Sequence, residues 1–230
     1  GAEMGTAGMI ARQDNRAAIL CQERDALLSK LPNLNPRVFM ERLTQIIDEY
    51  FRERFETSMI GPHLGIAKNP YVFIALGGYG RGEQCVHSDI DFLFLFKKNV
   101  PEGAESLIQE IVYPLWDVGL DVGYATRSLK ECLKLAREDY EILTPLLDAR
   151  FICGMSPLYT ELLEQLHRKV LQRYSRKVVD WLIETNRQRH VNFGDSTYRL
   201  EPNLKDGQGG LRDRRGRIRV AARRRHHWAG

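Results

Sequence analysis

Long apolar runs are missing from this chain, and cysteine, histidine and proline are scarce. No stretch approaches the roughly 18 to 20 apolar residues needed to cross a bilayer. The N-terminus lacks the basic and continuous apolar segments of a secretory signal, so a cytoplasmic protein is expected. The four cysteines, Cys21, Cys85, Cys132 and Cys153, are widely separated with no Cys-x-x-Cys, which argues against a zinc ribbon or a redox pair and for reduced thiols in a core. His167 and His190 stand singly, without the neighbouring ligands a metal site needs, and read as surface or core residues. Two familiar phosphate motifs are absent as well. A Gly-x-Gly-x-x-Gly dinucleotide pattern starting at Gly78 meets Glu83 where its last glycine should be, and a P-loop reading puts Glu83 and Gln84 where Lys and Ser/Thr are required.

What is present suffices for a sizeable core: 43% of the 230 residues are hydrophobic, enough for one large domain or two small ones. The net charge of +4 is misleading, because residues 212–230 hold eight arginines against one aspartate, a local +7 that leaves the first 211 residues at −3. Basicity belongs to the tail, so nucleic acid is not an expected partner except through it.

The chain is organised around residues 76–96, LGGYGRGEQCVHSDIDFLFLF. A short apolar strand over 71–76 (YVFIAL) runs into a turn built from Gly77, Gly78, Gly80 and Gly82, where backbone can approach a ligand closely. A second strand follows, opening with Asp89 and Asp91. Strand periodicity sends both carboxylates to one face, roughly 6 to 7 Å apart, while Ile90, Phe92 and Phe94 point to the other. Such a pair suits divalent metals about 3.5 to 4 Å apart. Each signal alone is commonly only a turn or a solvated strand end. Within the turn, Gly78 is expected to be the least replaceable glycine.

The combination of strand, Gly-Gly turn and Asp-x-Asp strand resembles the DNA polymerase β-like nucleotidyltransferase superfamily. The fuller text GGYGRGEQCVHSDID resembles the N-terminal domain of the bifunctional uridylyltransferases that modify the PII nitrogen-signalling protein. That resemblance implies an α+β fold, a small mixed β-sheet core flanked by helices with a C-terminal helical subdomain. It also implies a third acid in an apolar-Asp-apolar setting. Asp121, between Leu120 and Val122, is the matching position, against the plainer reading of an exposed strand residue.

Elsewhere the pattern is helical: residues 10–31, then a helix capped by Asn35 with Pro36 at its first position and an apolar stripe from Phe39 to Phe51. Another spans 101–116, its last turn bent by Pro114. A strand over 120–126 leads to a helix started by the Ser128/Glu131 capping box. Helical patterns continue over 139–148 and, from Ser156-Pro157, through a long stretch past Ile183. This divides the chain into an N-terminal helical extension (1–34), a nucleotidyltransferase core (35–136), a helical subdomain with a glycine-rich loop (137–213) and a basic tail (214–230).

The loop LEPNLKDGQGGLRD also resembles the uridylyltransferase family. Lys205 and Arg212 in it can help neutralise a triphosphate, or equally pair with Glu201, Asp206 or Asp213. The resemblance is expected to stop at Asp213, and RRGRIRVAARRRHHWAG reads as a nucleic-acid or membrane-surface tail or as a disrupted reading frame, the second being favoured because no core pattern follows. No His-Asp dipeptide occurs, so the hydrolase domain of the full-length family is expected to be missing, as are its ligand-sensing ACT domains.

The resemblance thus implies transfer of UMP from UTP to a tyrosine hydroxyl of PII, with two Mg²⁺ held by Asp89, Asp91 and Asp121. Gly77, Gly78, Gly80, Arg81, Ser88, Lys205 and Arg212 are the implied nucleotide-binding set. The alternatives are a nucleotidyltransferase acting on another acceptor, of the CBS-domain-associated kind, or a non-catalytic fragment that binds nucleic acid through its arginines.

Overall fold

The structure, a computed structural model, describes residues 3–173, with side chains from residue 16 onward, and beyond these the single positions 176, 180 and 184. It is an α+β fold: a four-stranded mixed sheet in the order β3-β2-β1-β4, with seven α-helices among the described residues. The strands are β1 (Tyr71–Ala75), β2 (Ile90–Phe96), β3 (Val122–Ser128) and β4 (Arg150–Gly154). The helices are α1 (Glu3–Ser29), α2 (Pro36–Thr57), α3 (Gly77–Gly80), α4 (Ala104–Asp117), α5 (Leu129–Glu138), α6 (Tyr140–Leu146) and α7 (Ser156–Lys169).

β1 pairs antiparallel with both β2 and β4, while β2 and β3 run parallel, joined by α4. The C-terminal end of β1 therefore meets the N-terminal ends of the other three strands. β4 is the one strand the apolar pattern does not announce, since RFICG is short and sits between two helical patterns. It lies between residues 137 and 213, so the sheet draws on chain beyond residue 136.

Alternation along the strands sorts their side chains into two cores. On one face Tyr71, Phe73, Phe92, Phe94 and Phe96 pack with α1, α2 and α4. Phe73 and Phe94, paired across β1 and β2, stack with centroids 4.5 Å apart, the offset arrangement that aromatic quadrupoles favour. On the other face Val72, Ile74, Leu93 and Leu95 pack under α5, α6 and α7.

The expected caps form: the Asn35 side chain accepts from the Arg37 amide at 2.9 Å, and Ser128 Oγ accepts from the Glu131 amide at 3.2 Å. Pro114 sits inside α4, where its missing N–H leaves the Glu110 carbonyl without its helical donor. Helix α2 makes good the loss: Arg54 Nη2 donates to the Glu110 carbonyl at 2.5 Å, and Tyr50 Oη to that of Ile111 at 2.6 Å. All four cysteines are free thiols; Cys132 and Cys153 are buried, and Cys21 and Cys85 only partly so. His167 is exposed on α7. No helix among the described residues is long and apolar enough to cross a membrane.

Candidate active site

The sheet topology brings the scattered sequence candidates to one place. The glycine turn leaves the end of β1, and the Leu76 amide donates to the Asp91 carbonyl at 2.9 Å, so the turn starts beside Asp91. Asp121 directly precedes β3, and its carbonyl accepts from the Ile90 amide at 2.9 Å. The parallel register then places Asp121 beside Asp89 on strands about 4.8 Å apart. Ile90, Phe92, Val122 and Tyr124 all enter the aromatic core, so Asp89, Asp91 and Asp121 share the opposite face.

Their surroundings differ. Asp89 and Asp121 are exposed, whereas Asp91 is largely withdrawn from solvent. Burial, and secondarily the negative charge of Asp89, push the Asp91 carboxyl up to about 6. Two carboxylates in this relation resist ionising together unless a cation joins them. Among the described residues no three His, Cys, Asp or Glu side chains converge as a metal site by themselves. That is compatible with Mg²⁺, which takes one or two carboxylates and completes its shell from substrate phosphates and water.

The turn is a single helical turn, with the Gly80 amide bonded to the Leu76 carbonyl and the Arg81 amide to that of Gly77, each at 2.9 Å. No side chain caps it. A Cβ added at Gly77 would meet nothing within 4 Å, and one at Gly78 only Arg81 Nη2 at 3.6 Å, so the outer surface of the turn is open. Gly77 has φ +54°, and Gly82 φ +75°, which favours glycine at both. Gly80 is the most constrained: a Cβ there would lie 2.2 Å from the Asp148 carbonyl oxygen. The expectation that Gly78 is the least replaceable glycine therefore fails on steric grounds, because Gly78 has no positive φ and has room, while Gly80 packs against β4's approach.

Arg81 is committed to the protein. Its Nε bonds Glu83 at 2.8 Å and its Nη1 Asp148 at 2.7 Å. Burial works against its charge, but these two carboxylates outweigh that and raise its pKa. Ser88 closes the loop leading to Asp89: its Oγ accepts from the Cys85 amide at 2.8 Å and from Gln84 Nε2 at 2.9 Å. Lys205 and Arg212 lie outside the described residues.

The sequence reading missed what holds the turn. Asp48 of α2 is buried, and it accepts from Tyr79 Oη at 2.6 Å and from Arg150 Nη1 at 2.6 Å. Arg150 also donates to the carbonyls of Gly80, at 3.1 Å, and Tyr79, at 3.0 Å, and its guanidinium carbon lies 5.2 Å from the Tyr79 ring centroid. Burial and the Asp48 carboxylate keep the Tyr79 phenol protonated, its pKa well above the usual 10.0. The one advance signal was a polar row, Thr44 and Asp48, spaced four apart on the apolar face of α2.

A hollow of about 570 Å³ on the outer side of α7, lined by Leu163, His167 and Arg168, holds none of the candidate residues. A small one of about 20 Å³ lies on the acid face, between Leu76, Leu93, Ala125 and Arg127 of the sheet region and Ile142, Pro145 and Leu146 of α6.

Comparison with known proteins agrees with this geometry. Residues 23–126 match the DUF294 nucleotidyltransferase family, and residues 177–227 match GlnD PII-uridylyltransferase. The second match runs past Asp213 into the basic tail, further than the motif resemblance reaches. The chain is 45% identical over 140 residues to a bifunctional uridylyltransferase/uridylyl-removing enzyme of Cereibacter sphaeroides, covering 61% of this chain and 15% of that protein. The same-named protein of Phenylobacterium zucineum is 39% identical over 176 residues, 74% of this chain and 19% of its own length. That of Bradyrhizobium diazoefficiens is 36% identical over 217 residues, 92% of this chain and 22% of its own. The chain thus spans about a fifth or less of the relatives it matches.

Proposed function

By sequence the chain belongs to the family of bifunctional uridylyltransferase/uridylyl-removing enzymes, in their nucleotidyltransferase region, and on that premise we propose that it transfers UMP from UTP to a tyrosine hydroxyl of a PII-type signalling protein, releasing pyrophosphate. The observation that carries the proposal is the meeting of Asp89, Asp91 and Asp121 on one sheet face beside an open, uncapped glycine turn.

Asp89 and Asp91 hold Mg²⁺, with Asp121 beside them. When bound, the two ions polarise the attacking hydroxyl and offset charge on the departing pyrophosphate. The turn at Gly77 and Gly78 receives the β- and γ-phosphates at backbone N–H groups, its open surface admitting them to hydrogen-bond distance. Asp121, exposed at the edge of the acid group, accepts the hydroxyl proton as the oxygen bonds the α-phosphorus and the bond to pyrophosphate breaks. Arg81 and Ser88 act on the nucleotide by shaping the turn and the loop, since both are bonded within the protein.

The test is pyrophosphate release with each of the four NTPs, with and without PII. PII-dependent release with UTP is the expected result. The DUF294 match over 23–126 favours a second reading, the same chemistry on another acceptor. That reading predicts nucleotide binding and slow NTP turnover unaffected by PII. Absence of binding for every NTP with Mg²⁺ present would overturn both.

A further inference from the structure

Arg127 is a guanidinium with nothing to hold. It lies on β3 in register with Leu95 and is partly buried, yet it makes no hydrogen bond or ion pair among the described residues. The other arginines packed around the sheet are all engaged: Arg54 with the Glu110 carbonyl, Arg81 with Glu83 and Asp148, Arg150 with Asp48. A partly desolvated guanidinium with five donors and no protein acceptor is poised for an acceptor that arrives from outside.

Its position says which. Val122 and Tyr124 enter the aromatic core, so Gly123, Ala125 and Arg127 face the same side as Asp91. Arg127 and Leu76, the residue from which the glycine turn springs, line the same small hollow on either side of β2. Arg127 therefore borders the acid face from the β3 side as the turn borders it from the β1 side. Cys132 lies within its electrostatic reach, but burial pushes that thiol up to about 12, so it is neutral and supplies no counter-charge.

We propose that Arg127 binds the phosphate chain of the nucleoside triphosphate, which it meets across the hollow from the glycine turn. The inference rests on the nucleotidyltransferase reading above and adds a residue that neither the turn nor the acid motif contains. Phosphate is the acceptor chemistry that best uses a planar fork, through two parallel charge-assisted hydrogen bonds. A lysine would supply the charge without the fork.

The test uses the full 230-residue chain with Mg²⁺ and three probes: UTP, inorganic tripolyphosphate and uridine. Arg127→Gln should weaken UTP and tripolyphosphate by about tenfold or more, the scale of a charge-assisted bond, and leave uridine unchanged. Arg127→Lys should recover part of that loss, with melting temperatures of both variants close to wild type. Equal UTP affinity in Arg127→Gln and wild type overturns this inference alone. Weakened UTP with unchanged tripolyphosphate also overturns it, by assigning Arg127 to the nucleoside. If Arg127→Gln does not fold, Arg127→Lys decides: a folded lysine variant with wild-type affinity for both phosphate probes overturns the need for the fork, and a weakened one supports it. Failure of the wild-type chain to bind UTP or tripolyphosphate removes the underlying reading as well.

Discussion

Arg150 grips Asp48 through both of its terminal nitrogens, at 2.6 and 3.1 Å, and the same guanidinium bonds the carbonyls of Tyr79 and Gly80. One side chain thus ties the start of β4 to α2 and to the far end of the glycine turn. The pair is withdrawn from water, with the Asp48 side chain 7% exposed, and removing one partner strands the other. Arg150→Ala is expected to cost about 3 kcal/mol of stability, measured by chemical denaturation. Because Arg150 does not reach the open surface of the turn, Arg150→Lys should restore much of the stability while UTP affinity stays low if turn geometry governs binding. Full recovery of both together would make the arginine a stabilising residue only.

The acid pair gives a prediction about catalysis. Asp89→Asn and Asp91→Asn should each abolish pyrophosphate release while near- and far-ultraviolet circular dichroism stay native, since neither side chain belongs to either apolar core. Near-normal release by both variants would sink the metal-holding role.

The Asp91 carboxyl also links stability to pH. Its pKa of about 6 in the folded protein, against an ordinary 3.8, means that the folded state binds this proton more tightly than the unfolded one. The contribution is fully present below the unfolded value and is lost as pH rises through about 6, leaving a penalty of about 3 kcal/mol at most above it. Metal-free Asp91→Asn should therefore melt higher than wild type at about pH 7.5 and no higher at about pH 4. Mg²⁺ should raise the wild-type melting temperature more at the higher pH. A variant that melts lower than wild type at both pH values would show that Asp91 is a structural hydrogen-bonding residue.

Much of this was readable from local chemistry. Asn35, Ser128 and the alternation of Ile90, Phe92 and Phe94 each obey a rule confined to a few neighbouring residues, and the helices, strands and faces they imply are present. Asp121 could be paired with Asp89 only by assuming that its strand lies beside β2, which the register shows. The missed parts depend on contacts distant in sequence. β4 is a five-residue strand paired with β1 about eighty residues earlier, and Asp48, Tyr79 and Arg150 form a network from three separate elements. Arg81 was assigned to phosphate on proximity alone, because Asp148, its partner 67 residues on, cannot be placed from local sequence.

The glycine turn separates space needed by the fold from space needed by a ligand. A Cβ at Gly80 would fall 2.2 Å from the Asp148 carbonyl oxygen and 3.0 Å from that of Ala75, and neither backbone can swing aside like a flexible side chain. Gly80→Ala should lose about 3 kcal/mol of stability through overpacking. A Cβ at Gly78 would touch only the tip of Arg81, at 3.6 Å, and otherwise project from the open surface of the turn. Gly78→Ala should therefore melt within a few degrees of wild type, the scale of a sub-kilocalorie change in a chain this size, yet bind UTP more weakly, because the methyl occupies the approach to the N–H groups. Melting temperature and UTP affinity on the two variants decide the matter. A stable Gly78→Ala with unchanged affinity would place the triphosphate elsewhere on the acid face, and a stable Gly80→Ala would mean that β4 yields where the packing says it cannot.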